Sequence, residues 1–204
     1  MTGDPLPDWD LGNLAAAPPP PVVPTPAGSV KDLRGRRVIV GLPGLGWRYD
    51  LRGDSPVVQG SRTYVPVLSE QEWYRAEAEQ TEVFAPLIPV ERVWVEVIAK
   101  TPIGAPAGRD LVSRLVSLDA PPRRDPVPAR EAAAIAGRRV VQMPSVDAPA
   151  GTHRRDLRAV TEPYSSSDGD ICVRVALELD WYRWAWSGLT PKTLEVPVHL
   201  LWIE

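Results

Sequence analysis

Two stretches of this chain repeat one another, and that repetition restricts the available folds more than any other feature. "YVPVLSEQEWYR" (Tyr64 to Arg75) overlies "CVRVALELDWYR" (Cys172 to Arg183) without a gap. Val65, Val67, Glu70, Trp73, Tyr74 and Arg75 return as Val173, Val175, Glu178, Trp181, Tyr182 and Arg183. At the same offset "IPVERVWVE" from Ile88 overlies "VPVHLLWIE" from Val196, repeating Pro89, Val90, Trp94 and Glu96. Slightly smaller offsets match "GRRVIV" at Gly35 with "GRRVVQ" at Gly137, and "DLR" at Asp50 with "DLR" at Asp156. Four matching blocks in one order make the chain a tandem duplication, so its fold must be one that about 70 residues can form twice.

The duplication also decides how to read "VIVGLPGLGWRYD" (Val38 to Asp50), whose three glycines suggest a nucleotide loop. Their spacing is G-x-x-G-x-G rather than G-x-G-x-x-G, and no Lys-Ser or Lys-Thr pair follows. The second copy reads "MPSVDAPAGTHRR" at that place. A variable connection between two strands accounts for both, with Gly and Pro supplying turn geometry.

Within each copy the pattern is short strands and turns. "GRRVV" and "RRDLRAVTEPY" are strand segments, Asp168-Gly169 in "SSSDGD" signals a hairpin, and "ICVRVALELDWYRW" alternates with period two. A final strand is expected in "EVPVHLLWIE". In the first copy Ser69 and Glu72 form a capping box, which predicts at least a helical turn in "SEQEWYRAEAEQ". The partner segment "LELDWYRWAWSG" is richer in aromatics and reads as extended. The 24 prolines limit long helices. The expected fold class is all-β, with two tandem homologous small barrels whose closed sheets hide their edges.

The opening strands, long variable first loop, "DGDICVRV" hairpin and final "VPVHLLW" strand together resemble the SH3-like small barrels, including Tudor and KOW-type domains. The resemblance spans Gly35 to Glu96 and Gly137 to Glu204 and implies a binding module for peptides, modified side chains or nucleic acids. The division expected is a Pro-rich disordered segment over 1–29, a first barrel over 30–98, a linker with a short element over 99–131 and a second barrel over 132–204.

Composition narrows the function. The net charge of −3 offers no electrostatic footprint for nucleic acid. One cysteine, Cys172, allows no internal disulfide and points to a reducing, cytoplasmic setting. The acidic, Pro-containing start lacks the pattern of a secretory signal, and no apolar run of membrane-spanning length occurs. Two histidines and one cysteine argue against a dedicated zinc site, and no cofactor is expected. An excess of Arg over Lys with frequent Ala-Pro suggests a high-GC bacterium or its phage.

Candidate ligand-binding residues are aromatic. In an extended segment Trp184 and Trp186 share a face with Tyr182, whereas the first copy has Ala76 and Ala78 there. Three large aromatics on one face make a stacking platform or a domain interface. Tyr74 and Tyr164 join Tyr182, Trp184 and Trp186 as candidates. Trp94 and Trp202, in apolar strands, are read as core. Arg36, Arg37, Arg138 and Arg139 are either phosphate contacts or solvated strand ends. Arg52 to Asp54 spells the integrin tripeptide by coincidence, and Pro21 to Pro24 fits P-x-x-P within a linker. Catalytic constellations are lacking: Cys172 has no cue for a lowered pKa, and Glu70 and Glu178 have no second positioned group. The expectation is a non-catalytic interaction or assembly module that binds a protein or peptide, with no membrane partner. The alternatives are nucleic-acid binding and an enzyme whose cleft lies between the repeats.

Overall fold

Short apolar-polar alternations build two antiparallel sheets of seven strands each. The computed structural model describes residues 18–42, 44–99, 120–144 and 153–204. The first half holds β1 (Val22–Pro26), β2 (Arg37–Leu42), β3 (Gly46–Gly53), β4 (Val57–Gln59), β5 (Arg62–Ser69), helix α1 (Glu70–Glu79), β6 (Leu87–Pro89) and β7 (Val93–Ile98). The second holds β8 (Val127–Pro128), β9 (Arg139–Gln142), β10 (Arg154–Ala159), β11 (Tyr164–Ser165), β12 (Ile171–Leu177), helix α2 (Glu178–Ser187), β13 (Thr193–Pro197) and β14 (Leu201–Ile203). Strand order is β1-β7-β2-β3-β5-β4 in one sheet and β8-β14-β9-β10-β12-β11 in the other, with β6 and β13 paired to β5 and β12. The two halves therefore have the same element order and the same sheet order.

Four prolines punctuate this pattern. Pro26, Pro89, Pro128 and Pro197 each end a strand and open a three-residue 3-10 turn, with φ between −52° and −55°. A fixed φ and a missing N–H suit the last position of a ladder that must bend. Through the turns at Val90–Arg92 and Val198–Leu200, β6 runs on into β7 and β13 into β14.

Each sheet encloses its own apolar core. Val38, Val40, Val65, Val67, Val93 and Val95 close on Ala27 and Leu33 in one. Val140, Leu157, Val173, Val175, Leu201 and Ile203 close on Ala129 and Ile135 in the other. Leu33 and Ile135, like Ala27 and Ala129, occupy matching places before the Gly-Arg-Arg motif, a correspondence the sequence comparison missed.

The glycine-rich stretch is a turn. Gly44 lies between β2 and β3 and Gly46 opens β3, at φ 73° and 79°, the left-handed region that glycine enters without strain. The Ser166–Asp170 connection closes the β11–β12 hairpin, with Ser166 N–H donating to Asp170 O at 2.8 Å.

Three expectations need correction. The segment Glu178–Ser187 is helical, not extended; Gly188 ends it in the left-handed conformation, its N–H donating to Trp184 O. The Pro-rich segment is not disordered throughout. Val22–Pro26 is a strand paired to β7, which places Pro21 to Pro24 against a sheet, while residues 1–17 lie outside the described residues. The expected linker also contributes structure, because β8 pairs with β14 and Arg124 bridges to Val22. The segment "RDLVSRLVSLD" falls wholly outside the described residues.

Leu157 is fully buried, so Leu157→Ala should cost about 2–5 kcal/mol in a urea unfolding experiment, the usual range for such a truncation.

Candidate functional site

In each half two arginines stand side by side. Arg37 is directly opposite Arg52 across β2 and β3, and Arg139 opposite Arg158 across β9 and β10. Opposite residues of an antiparallel pair share a face, and both strand pairs also carry a register shift nearby, at Tyr49-Asp50 and at Arg155-Asp156. Like charges opposite one another repel, and here the chain supplies carboxylates from helix starts. Glu70 opens α1 and Glu178 opens α2, where the helix dipole favours an anion.

The two helices pack on each other across the halves, and this brings all six charges into one seam. Glu70 lies 3.4 Å from Arg37, 3.0 Å from Arg52, 2.7 Å from Arg139 and 3.1 Å from Arg158. Glu178 lies 2.5, 3.2, 3.1 and 3.7 Å from the same four arginines. Tyr182 donates to Glu70 at 2.8 Å and Tyr74 to Glu178 at 3.1 Å. The two phenol rings stack at 5.3 Å. Arg52 and Arg158 also donate to the carbonyls of Gly35 and Gly137, at 2.8 and 2.9 Å. Each contact has a counterpart in the other half, so the seam has an approximate two-fold symmetry.

A second tier flanks it. Glu96 is 3.5 Å from Arg139, and Glu204 is 3.5 Å from Arg37. Glu204 takes a further cation from Arg155 in β10. The first half has Tyr49 where the second has Arg155, and Arg124 compensates: it stacks 5.3 Å over the Tyr49 ring and reaches Glu96 at 2.5 Å. Asp50 contacts Arg139 at 2.7 Å and Arg158 at 3.2 Å, whereas its counterpart Asp156 pairs with Arg154. Two cavities, of about 320 and 300 Å³, open beside the seam.

Burial sets the titration behaviour. Burial alone would raise the Glu70 carboxyl, but Arg139, Arg52 and Arg37 outweigh it and hold the group at about 2. Glu96 goes the other way, raised by burial despite Arg139 and Arg124. The Tyr74 phenol is pushed up to about 12, chiefly by burial and then by Glu178. Tyr182 is raised by burial and by Glu70.

The expected aromatic platform does not form. Tyr182 is buried in the seam and Tyr74 faces it there, so neither is free to stack on a ligand. On a helix Trp186 falls one turn beyond Tyr182 while Trp184 points to the other side; Trp184 is exposed and Trp186 half-buried. Tyr164 lies apart on β11, bonded to Glu195 and Arg174. Trp94 and Trp202 are half-buried on the outer faces of their sheets, Trp94 edge-on to Trp47 at 5.0 Å. The arginine pairs divide: Arg36 and Arg138 are exposed, while Arg37 and Arg139 turn into the seam and are not solvated strand ends. Arg52 and Arg158 were not among the candidate residues, although the "DLR" repeat contains both. Recurrence of a polar residue in both copies was the available signal.

Among the described residues no group of three or more His, Cys, Asp and Glu side chains is placed to hold a metal ion. No helix there is long and apolar enough to cross a membrane. No protein-family model, curated protein or solved structure matches the chain.

Removing one partner of a buried ion pair strands the other, at about 3–5 kcal/mol. Glu70→Gln should therefore destabilise the protein by that amount, with the tryptophan fluorescence of both halves melting together. Glu70 is depressed below its unfolded value of 4.5, so its stabilisation is present above pH 4.5 and lost as pH falls through about 2. Acid titration by circular dichroism should show this loss, and Glu70→Gln should flatten it. For the raised phenol of Tyr74, stabilisation is complete below pH 10 and lost as pH rises through about 12. Tyrosinate absorbance should rise together with unfolding in that window.

Proposed function

We propose that the protein is a non-catalytic interaction module made of two duplicated SH3-like barrels fused through the charged seam. The barrel reading is supported by the pairings β7-β2-β3-β5-β6, because β6 and β7 are one segment bent at a 3-10 turn and the circuit of neighbours returns to its start. The same circuit runs through β14-β9-β10-β12-β13.

The observation that carries the binding role is an apolar outer face on β4, β5 and β6. Val65 and Ile88 face the core, so their neighbours Tyr64, Pro66 and Leu87 face outward, joined by Val57 opposite Tyr64. Val57 and Leu87 are exposed, and Phe84, three residues before β6, is 92% exposed. Exposed apolar side chains gathered in this way mark interaction surfaces. The equivalent face of the second half is polar: Tyr164 bonds Glu195 and Arg174, and the Arg174 guanidinium lies 5.4 Å from the Tyr164 ring. The first half thus presents the docking face for an apolar peptide segment, and the second supports it. Of the four arginines named as phosphate contacts, Arg37 and Arg139 are engaged by Glu70 and Glu178, which weighs against phosphate binding as the main role.

Capture of partners from an extract of the source cells tests this reading, with Val57→Asp/Leu87→Asp as the control variant. Protein retained at high salt, lost in the double variant and unchanged in Trp184→Ala is the expected result. Nucleic acid released by salt would overturn it, since phosphate contacts weaken steeply as salt rises.

A further inference from the structure

Each sheet ends in a hairpin ribbon, and the two ribbons carry opposite charge. Among the described residues β4 pairs only with β5, and β11 only with β12, so each ribbon has one open edge. Gly60-Ser61 joins β4 to β5, with Gly60 at φ 63° and Gln59 facing Arg62 next to the turn. The pair beside a two-residue turn is hydrogen-bonded and the next pair is not. The backbone N–H and C=O of Val58, opposite Thr63, therefore point to the open edge. In the second half the Ser166 N–H donates to Asp170 O, which leaves the backbone groups of Ser165, opposite Ile171, on the open edge.

Sheet edges are ordinarily blunted by charge, proline or a bulge. The strand Val57-Val58-Gln59 has none of these within it; all three residues are exposed, Val58 to 72%. Arg62 is the single charged residue from Ser55 to Ser69. It is exposed, and among the described residues its side chain makes no hydrogen bond or ion pair. The other ribbon is its opposite. From Tyr164 to Val173 it holds Asp168 and Asp170 and no cation. Both aspartates are exposed and outside any ion pair among the described residues, and Ile171 beside them is 48% exposed.

We propose that copies of this chain associate head to tail, the β4 edge of one adding to the β11 edge of the next. Val58 and Ser165 exchange backbone hydrogen bonds, so one sheet continues across the junction. Arg62 of one ribbon and Asp168 and Asp170 of the other bring opposite charge to it, and Val58 is withdrawn from water. Like ribbons do not suit each other: two β11 tips would crowd their aspartates, and two β4 edges would hold no anion for either Arg62. The edges belong to different halves, so a copy joined through one keeps the other. Such a contact is heterologous and extends to a ring or a filament. Val58 lies on the side of the ribbon opposite Val57, so this inference stands apart from the reading of the apolar outer face.

Sedimentation velocity of the full-length protein over a wide concentration range is the test. The mass should rise with concentration past that of a dimer and fall back as salt is added, because screening weakens attraction between the tips. Val58→Pro and Ser165→Pro each remove one outward N–H, a change that edge strands accept, so both should keep the parent's melting temperature. Each variant alone should stay monomeric. An equal mixture should give a one-to-one complex and nothing larger, since each variant keeps the edge that the other lacks. Asp168→Asn/Asp170→Asn should weaken association and flatten its salt dependence. A parent chain that is monomeric at every concentration, association that Ser165→Pro leaves unchanged, or a mixture that remains monomeric would overturn the proposal. None of those results touches the partner-capture reading, which rests on Val57 and Leu87.

Discussion

Two arginines fixed opposite each other on adjacent strands cannot be left in a desolvated place without anions. In this protein each half creates that situation and only partly resolves it. Glu70 reaches Arg37 and Arg52 of its own half, but its shortest contact is with Arg139 of the other. Glu178 does the reverse, approaching Arg37 most closely. The halves are thus bound by exchange of carboxylates rather than by a shared apolar core, and their cores remain distinct. Buried ion networks of this sort contribute less to stability than their distances suggest, because desolvation offsets much of the attraction. Their stronger effect is on geometry: only one mutual orientation lets each carboxylate meet all four guanidinium groups and a phenol.

The two halves depart from two-fold symmetry around the seam while its central contacts match. Position 49 holds Tyr49 where the other half has Arg155, and Arg124 from the connection supplies a cation to Glu96 while stacking over Tyr49. Asp50 adds an acceptor to the arginines of the second half, with no equivalent service from Asp156. On the outer sheets the difference is larger, since one half has Val57, Tyr64, Pro66 and Leu87 outward where the other has a Tyr-Arg-Glu cluster.

Several elements were legible because their causes are local. The turn at Gly44 and Gly46, the Ser166–Asp170 hairpin and the start of α1 each depend on a few adjacent residues. Ser69 accepts from the Glu72 N–H at 3.2 Å, and the Glu72 side chain returns to Ser69, as the capping box requires. Helix α2 escaped notice because Leu177 offers no side-chain cap and its aromatics resemble those of a strand. That error carried over into the site. A period of two puts Tyr182, Trp184 and Trp186 on one face, whereas the helical period separates Trp184 from the others. The strand at Val22–Pro26 was hidden for a different reason: prolines suggest an extended linker, and only pairing with Ile98 to Trp94 makes that segment part of a sheet.

By itself, then, the amino-acid sequence determined that two like units exist, that they are mainly β, and which polar residues recur in both. Those properties follow from side-chain period, turn chemistry and self-similarity, all readable along one chain. Tertiary structure decided that the recurring Arg, Glu, Tyr and terminal Glu residues meet one another across the halves, and that Arg36 and Arg138 stay outside that meeting. The reason is electrostatic and spatial: a guanidinium on a strand looks the same in sequence whether it faces water or a carboxylate. Which of the two it faces is fixed by the packing of α1 on α2, at more than a hundred residues' separation in the chain.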